Sequence, residues 1–116
     1  MPGTGAAARH GYESRPGRLA VVVSDLADLR GPVSGKVTLP LRLWWRPSGR
    51  VWDLDDPEIL QAMYEAVLTE AVSEDELRTW LNGERLISVW AELFVPGGVR
   101  RSWEERHPVL RAGAAA

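Results

Sequence analysis

Apolar residues recur at every second position from Val37 to Trp45, where VTLPLRLWW places Val37, Leu39, Leu41, Leu43 and Trp45 on one side. That period predicts a strand with one buried face. Pro40 has no N–H for a ladder, so the strand is expected to be an edge or to break there. Pro47-Ser48-Gly49 reads as a turn. Arg50 to Leu54 then returns as a short second strand, with Val51 and Asp53 on one side and Trp52 and Leu54 on the other. Two strands are marginal by themselves and need helices over their apolar face.

The period then changes. Leu60, Met63, Tyr64, Val67 and Ala71 form a stripe at spacings of three and four, widened by Ile59 and Leu68. Asp55 or Asp56 can cap this helix, Pro57 suits its first position, and Glu58 meets the positive end of the helix dipole. Ser73-Glu74-Asp75-Glu76 is a capping box opening a second helix through Leu81, stopped by Asn82-Gly83. A third helix, Glu84 to Leu93, presents Leu86, Ile87, Trp90 and Leu93. A fourth is expected from Pro96 or Gly98 to about Arg106, ahead of Pro108. Trp80, Trp90 and Trp103 fall one to each of the last three helices, and each contributes about 2–3 kcal/mol if enclosed. Upstream, Ser24 can cap a short helical turn, DLADLR, whose apolar side is Leu26 and Leu29.

The fold class predicted is α+β and mostly α, a short β-hairpin packed on a compact set of about four helices. Residues 1–21, rich in Gly, Ala, Arg and Pro, are expected to be a disordered lead, 22–111 a single globular domain, and 112–116 a frayed tail.

Composition narrows the chemistry. A chain of 116 residues can bury one modest core. With no cysteine there is no disulfide framework, thiolate metal site or cysteine nucleophile. The apolar run Leu19 to Val23 is too short for a signal-peptide core, and no segment approaches a membrane span, which suits a cytoplasmic protein. Charge is uneven along the chain. Residues 51–76 hold nine Asp/Glu and no Arg or Lys, while residues 1–50 hold eight Arg/Lys against three Asp/Glu. An acidic band between basic flanks disfavours a broad nucleic-acid surface and suits a protein partner.

Asp53-Leu54-Asp55-Asp56 could pair carboxylates for acid–base work or hold a divalent cation, since Mg²⁺ and Ca²⁺ prefer oxygen ligands. The Asp-Pro-Glu order is also what a helix start requires, and capping is the expected role. Gly31-Pro-Val-Ser-Gly-Lys36-Val37 echoes a phosphate loop but has Arg30 in place of the first glycine and Val37 in place of the Ser or Thr. It reads as a turn. Two histidines, His10 and His107, are too few for a usual metal site; His107 reads as a cation at a helix C-terminus. No catalytic residue, cofactor or metal site is expected.

Candidate contacts remain. By alternation Trp44 shares the outer face of the first strand with Arg42 and Arg46, a combination enriched at protein–protein contacts. With the acidic residues Asp53, Asp55, Asp56, Glu58 and Glu65 it forms the expected partner-binding surface. The alternative is a small DNA-binding transcriptional regulator using the C-terminal helices, through Arg100, Arg101 and Arg106. Glu104 and Glu105 interrupt that patch, and a helix-turn-helix over 73–93 would have Gly83 one place late.

VSDLADLRGPVSGKVTLPLRLWW, DLDDP, YEAVLTEA, LRTWLNG, LISVWAELFVP and VRRSWEERHPVLR together resemble a family of small proteins of GC-rich bacteria, often encoded beside a nucleotidyltransferase toxin of the AbiEii type. The resemblance covers about Val23 to Arg111, and it would make Val23 a candidate start. It implies a non-catalytic accessory or antitoxin-like role, with nucleotide chemistry in the neighbour. It carries no site residues.

Overall fold

The computed structural model describes residues 13–15, 18–40, 42–43 and 51–115. Among these residues two short antiparallel pairs accompany five α-helices, so the architecture is α+β and mostly α. Strands β1 (Glu13–Arg15) and β2 (Arg18–Leu19) pair with each other. Strands β3 (Lys36–Thr38) and β4 (Val51–Asp53) pair in the register Val37 opposite Trp52. The helices are α1 (Pro57–Glu70), α2 (Glu74–Trp80), α3 (Gly83–Val89), α4 (Gly97–Arg106) and α5 (Pro108–Ala115). Three-residue 3₁₀ turns occur at Leu26–Asp28 and Trp90–Glu92.

The hairpin is shorter than the alternating pattern predicts. Strand β3 stops at Thr38, two residues before Pro40, and Arg42 and Leu43 form a turn in which the Leu43 N–H donates to the Pro40 carbonyl at 3.0 Å. Leu39 and Leu43 are buried nonetheless, so the apolar positions reach the core without a ladder. Trp52 and Leu54 face inward and Val51 outward. Trp45 and the turn at 47–49 lie outside the described residues.

Helix α1 starts as its sequence dictates: the Asp56 carboxylate accepts the Glu58 N–H at 3.0 Å, and Pro57 takes the first position. Leu60, Met63, Tyr64, Val67 and Leu68 form its buried face. Helix α2 begins at Ser73, whose Oγ accepts the Glu76 N–H. The return arm differs from a capping box, because Glu76 accepts from Val72 rather than from Ser73. Asn82 does more than end α2. Its side chain accepts the Arg85 N–H at 2.9 Å and caps α3.

Asn82-Gly83 is also where two distant segments lock. The Gly31 N–H donates to Leu81 O at 2.7 Å, and the Gly83 N–H to Leu29 O at 2.9 Å. Side chains are excluded at this crossing: a Cβ on Gly83 would lie 2.3 Å from the Leu26 carbonyl oxygen. The turn before it is capped by Asp25, which accepts the Ala27 N–H, and not by Ser24. Ser24 instead donates through its N–H and hydroxyl to Glu74.

Both ends carry more structure than the sequence predicts. Ala20, Val21 and Val22 pack against the core ahead of the buried Val23. At the other end, Pro108 opens α5, which runs to Ala115 and seats Leu110 at full burial among α3, α4 and the Trp90–Glu92 turn. The sequence expectation of a tail from 112 overlooked that proline at a first helical position starts a helix as readily as it ends one.

Trp90 and Trp103 form the centre of the C-terminal half, with ring centroids 6.2 Å apart and no exposure. The His107 ring lies tilted beside Trp103 with centroids 6.0 Å apart, and its Nε2 lies 2.7 Å from the Val23 carbonyl oxygen. A carbonyl oxygen only accepts, so this nitrogen carries the proton. His107, read from the sequence as a C-terminal cation, ties the end of α4 to the segment at Val23.

Candidate interaction surface

The aspartates leaving β4 are local scaffolding. Asp53 accepts the Asp55 N–H at 3.1 Å, Asp55 accepts the Gly35 N–H at 3.1 Å, and Asp56 caps α1. A carboxylate prefers such backbone donors because they satisfy it without a counter-charge. Each thus fixes a turn. Glu58 is exposed in the first turn of α1. Among the described residues no group of three or more His, Asp or Glu is placed to hold a metal ion.

Beside Asp55 lies a half-open cleft of about 300 Å³. Val33, Ser34, Leu54 and Asp55 form its hairpin wall, Pro57, Leu60 and Gln61 of α1 its floor, and Arg85 and Val89 of α3 the far wall. Its surface is mostly apolar, with one cation and one anion at opposite sides. The Arg85 side chain is exposed and has no ion-pair partner among the described residues. Under α3, the Tyr64 hydroxyl accepts the Asn82 N–H at 3.0 Å. Burial pushes the Tyr64 phenol above its ordinary range, against smaller opposing effects from the Asn82 N–H and the Arg85 charge.

Glu65 lies one turn further along α1 from Gln61 and has a different task from the aspartates. It accepts the Phe94 N–H at 2.8 Å. Gln61 meanwhile donates to Glu92 at 3.0 Å. These two bonds fasten the segment after Val89 along α1. Leu93, in extended conformation, turns inward and is buried; Phe94 turns outward and is 89% exposed. This is the only phenylalanine in the chain and the most exposed of its large apolar side chains among the described residues.

The exposure of Phe94 is not legible in the sequence, for a geometric reason. A continuous α-helix from Glu84 would place residue 94 one turn beyond Trp90, on the buried stripe. The chain instead tightens to 3₁₀ at Trp90, where side chains repeat every three residues, so Leu93 takes the inward place. The only sequence signal is the Val95-Pro96-Gly97-Gly98 run, which stops a helix at about this point.

The expected contact residues on the first strand fare differently. Arg42 is ion-paired with Glu76, its Nε donating at 2.7 Å, and reaches the Glu70 carbonyl. It braces the turn at 42–43 against the start of α2. Trp44 and Arg46 lie outside the described residues; the structure brings Asp55 to the cleft and Glu65 to Phe94.

The basic set of the alternative reading is also partly committed. Arg100 lies 5.0 Å over the Trp90 ring and donates to the Trp90 and Leu93 carbonyls. Glu104, mostly buried, accepts the Trp90 indole N–H at 2.9 Å and faces Arg100 and Arg111 at 3.6 Å each. Arg100 is therefore a structural cation, while Arg101 and Arg106 are exposed on α4. The turn between α2 and α3 is occupied by the Leu29–Gly31 crossing. No helix among the described residues is long and apolar enough to cross a membrane. No protein-family model, curated protein or solved structure matches the chain.

Proposed function

We propose that the chain is a non-catalytic interaction protein whose contact surface centres on Phe94, rimmed by Glu65 and Glu92, and that it holds a basic partner. The observation that carries this reading is an aromatic side chain 89% exposed on a backbone anchored at its N–H. Leu93 is buried, Val95 packs on the core, and the Phe94 N–H is bonded to Glu65. A large apolar group held in water on a fixed backbone loses little entropy when a partner covers it, which is the character of an interface anchor. The carboxylates that could serve acid–base chemistry, Asp53, Asp55 and Asp56, each spend an oxygen on a backbone N–H, and this supports a non-catalytic role.

The resemblance noted above makes a nucleotidyltransferase-like protein the first partner to try, in the cytoplasm of the native host. Tagged wild-type chain and a Phe94→Ala variant are each co-expressed with that protein and recovered. Stoichiometric capture by the wild type that is lost from Phe94→Ala supports the reading. Equal capture by both chains overturns it, as does wild-type chain recovered alone both here and from the native host.

A further inference from the structure

Around Trp90 the chain assembles an aromatic ring, an acid and an arginine into one unit. The Arg100 guanidinium lies 5.0 Å over the Trp90 ring, while Glu104 accepts the Trp90 indole N–H at 2.9 Å and faces Arg100 at 3.6 Å. The ring offers a face, the carboxylate offers charge and acceptor oxygens, and a planar cation meets both. At Phe94 the first two parts recur. Glu65 accepts the Phe94 N–H at 2.8 Å, Glu92 accepts the Gln61 amide at 3.0 Å, and the ring is 89% exposed. These bonds engage Oε2 of Glu65 and Oε1 of Glu92, so each carboxylate keeps a second oxygen. Gln61 and Glu65 are one turn of α1 apart, about 6 Å along its axis, and both carboxylates therefore stand along the segment that carries the ring.

Charge selects the third part. Acids of α2 and α4 are compensated within the chain: Glu74 and Asp75 by Arg78, Glu76 by Arg42, and Glu104 by Arg100 and Arg111. Glu65 and Glu92 are bonded to neutral donors, a backbone N–H and an amide, and neither has an ion-pair partner among the described residues. Arg100 does not serve them, because it is spent on the Trp90 ring, the Trp90 and Leu93 carbonyls and Glu104. Two uncompensated carboxylates beside an open aromatic face call for a cation from outside. A guanidinium fits better than an ammonium: it lies flat on a ring while its edge donates to carboxylates, whereas the lysine head is a compact, strongly hydrated point charge.

We propose that the Phe94 surface binds an arginine side chain of the partner, stacked on the ring with its N–H groups donated to the unused oxygens of Glu65 and Glu92. The proposal rests on the reading of Phe94 as an interface anchor and names the group that the anchor takes.

The test is a titration of two labelled peptides with the full chain, read by fluorescence anisotropy. One peptide carries arginines in a glycine–serine frame, and its twin carries lysines at the same places. The wild type is expected to bind the arginine peptide about threefold to fivefold tighter than the lysine twin, the range of an exposed cation–ring contact. Phe94→Ala and Phe94→Leu are both expected to erase that preference, the second because it keeps an apolar group but no ring face. Glu65→Gln and Glu92→Gln keep an acceptor for the Phe94 N–H and the Gln61 amide, and each is expected to weaken the arginine peptide about twofold to fivefold. Circular dichroism should show every variant folded. Failure of the wild type to bind the arginine peptide, equal binding of the twins, a preference that survives in Phe94→Ala, or binding unchanged in the double variant Glu65→Gln/Glu92→Gln overturns the proposal. Failure here is separable from failure of the interaction reading. Capture of a co-expressed protein that needs Phe94 but survives the double glutamine variant overturns only the arginine assignment, whereas an arginine preference that needs Phe94 and both acids upholds it even where the nucleotidyltransferase-like protein is not captured.

Discussion

Trp90 and Phe94 are four residues apart, one opening a 3₁₀ turn and the other in the extended segment that follows it, and they show what makes an aromatic structural or available. Trp90 is sealed: its indole N–H is bonded to Glu104, the Arg100 guanidinium covers its face, and Trp103 packs beside it. Phe94 has its backbone fixed and its ring in water. The sequence places acids and arginines near both. What separates them is direction. The acid beside Trp90 reaches a side chain and closes the aromatic in, while the acid beside Phe94 reaches only the backbone N–H and holds the ring out. A carboxylate can thus serve the core or an interface by its choice of donor.

The largest way to test this contrast is Trp90→Ala. It removes a fully buried indole and strands Glu104 and Arg100 without the group they bracket, so the expected loss is about 3–5 kcal/mol, read as the midpoint of urea unfolding. A loss under about 1 kcal/mol would mean that the C-terminal half does not depend on the Trp90–Trp103 pair. Gly83→Ala probes the opposite kind of constraint, added volume. Its methyl group would meet the Leu26 carbonyl oxygen at 2.3 Å, and backbone on both sides has to move. The expected cost is about 1–3 kcal/mol. An unchanged midpoint would show that the crossing of 29–31 with 81–83 is loose.

Tyr64→Phe keeps the buried ring and deletes the acceptor of the Asn82 N–H. The expected loss is about 1 kcal/mol, at the lower end for an orphaned donor because Asn82 is only half-buried. The same residue predicts a pH dependence. Burial raises the phenol above its ordinary 10.0 in the folded state, so the folded chain keeps a proton that the unfolded chain releases. That contribution is complete below pH 10 and declines as the pH rises from 10 through the folded-state value. Melting temperatures followed from pH 8 to 11 should fall less steeply for Tyr64→Phe than for the wild type. Parallel curves would show that Tyr64 titrates alike in both states.

Much of the fold is legible in the sequence, for reasons visible at individual residues. The stripe from Leu60 to Ala71 names the buried face of α1, Asp56-Pro57 sets its start, Ser73 starts α2, and 97–106 forms the predicted fourth helix. The failures occur where a local rule has two outcomes. Pro108 read as a stop begins α5, and Asn82-Gly83 read as an end begins α3. The alternation from Val37 overstates β3 because Leu39 and Leu43 can be buried from a turn as well as from a strand. The candidate site was less legible. Asp55 and Glu65 stand out in the sequence by their charge, whereas their positions beside a cleft and beneath Phe94 depend on a 3₁₀ turn and on bonds across 20 and 29 residues. No periodicity carries such information.

The smallest expected effect on stability sharpens the comparison most. Phe94→Ala removes a ring that is already in water, and its backbone bond to Glu65 does not depend on the side chain. The unfolding midpoint of the unbound chain, measured at low micromolar concentration, should therefore change by no more than about 0.5 kcal/mol. Set against about 3–5 kcal/mol for Trp90→Ala, the pair of truncations separates an aromatic that holds the fold from one the fold holds out. A loss above about 1 kcal/mol for Phe94→Ala would place the ring against the molecule's own surface and remove the basis for an interface there. A neutral midpoint together with lost association would instead assign the whole effect of the side chain to contact with another protein surface.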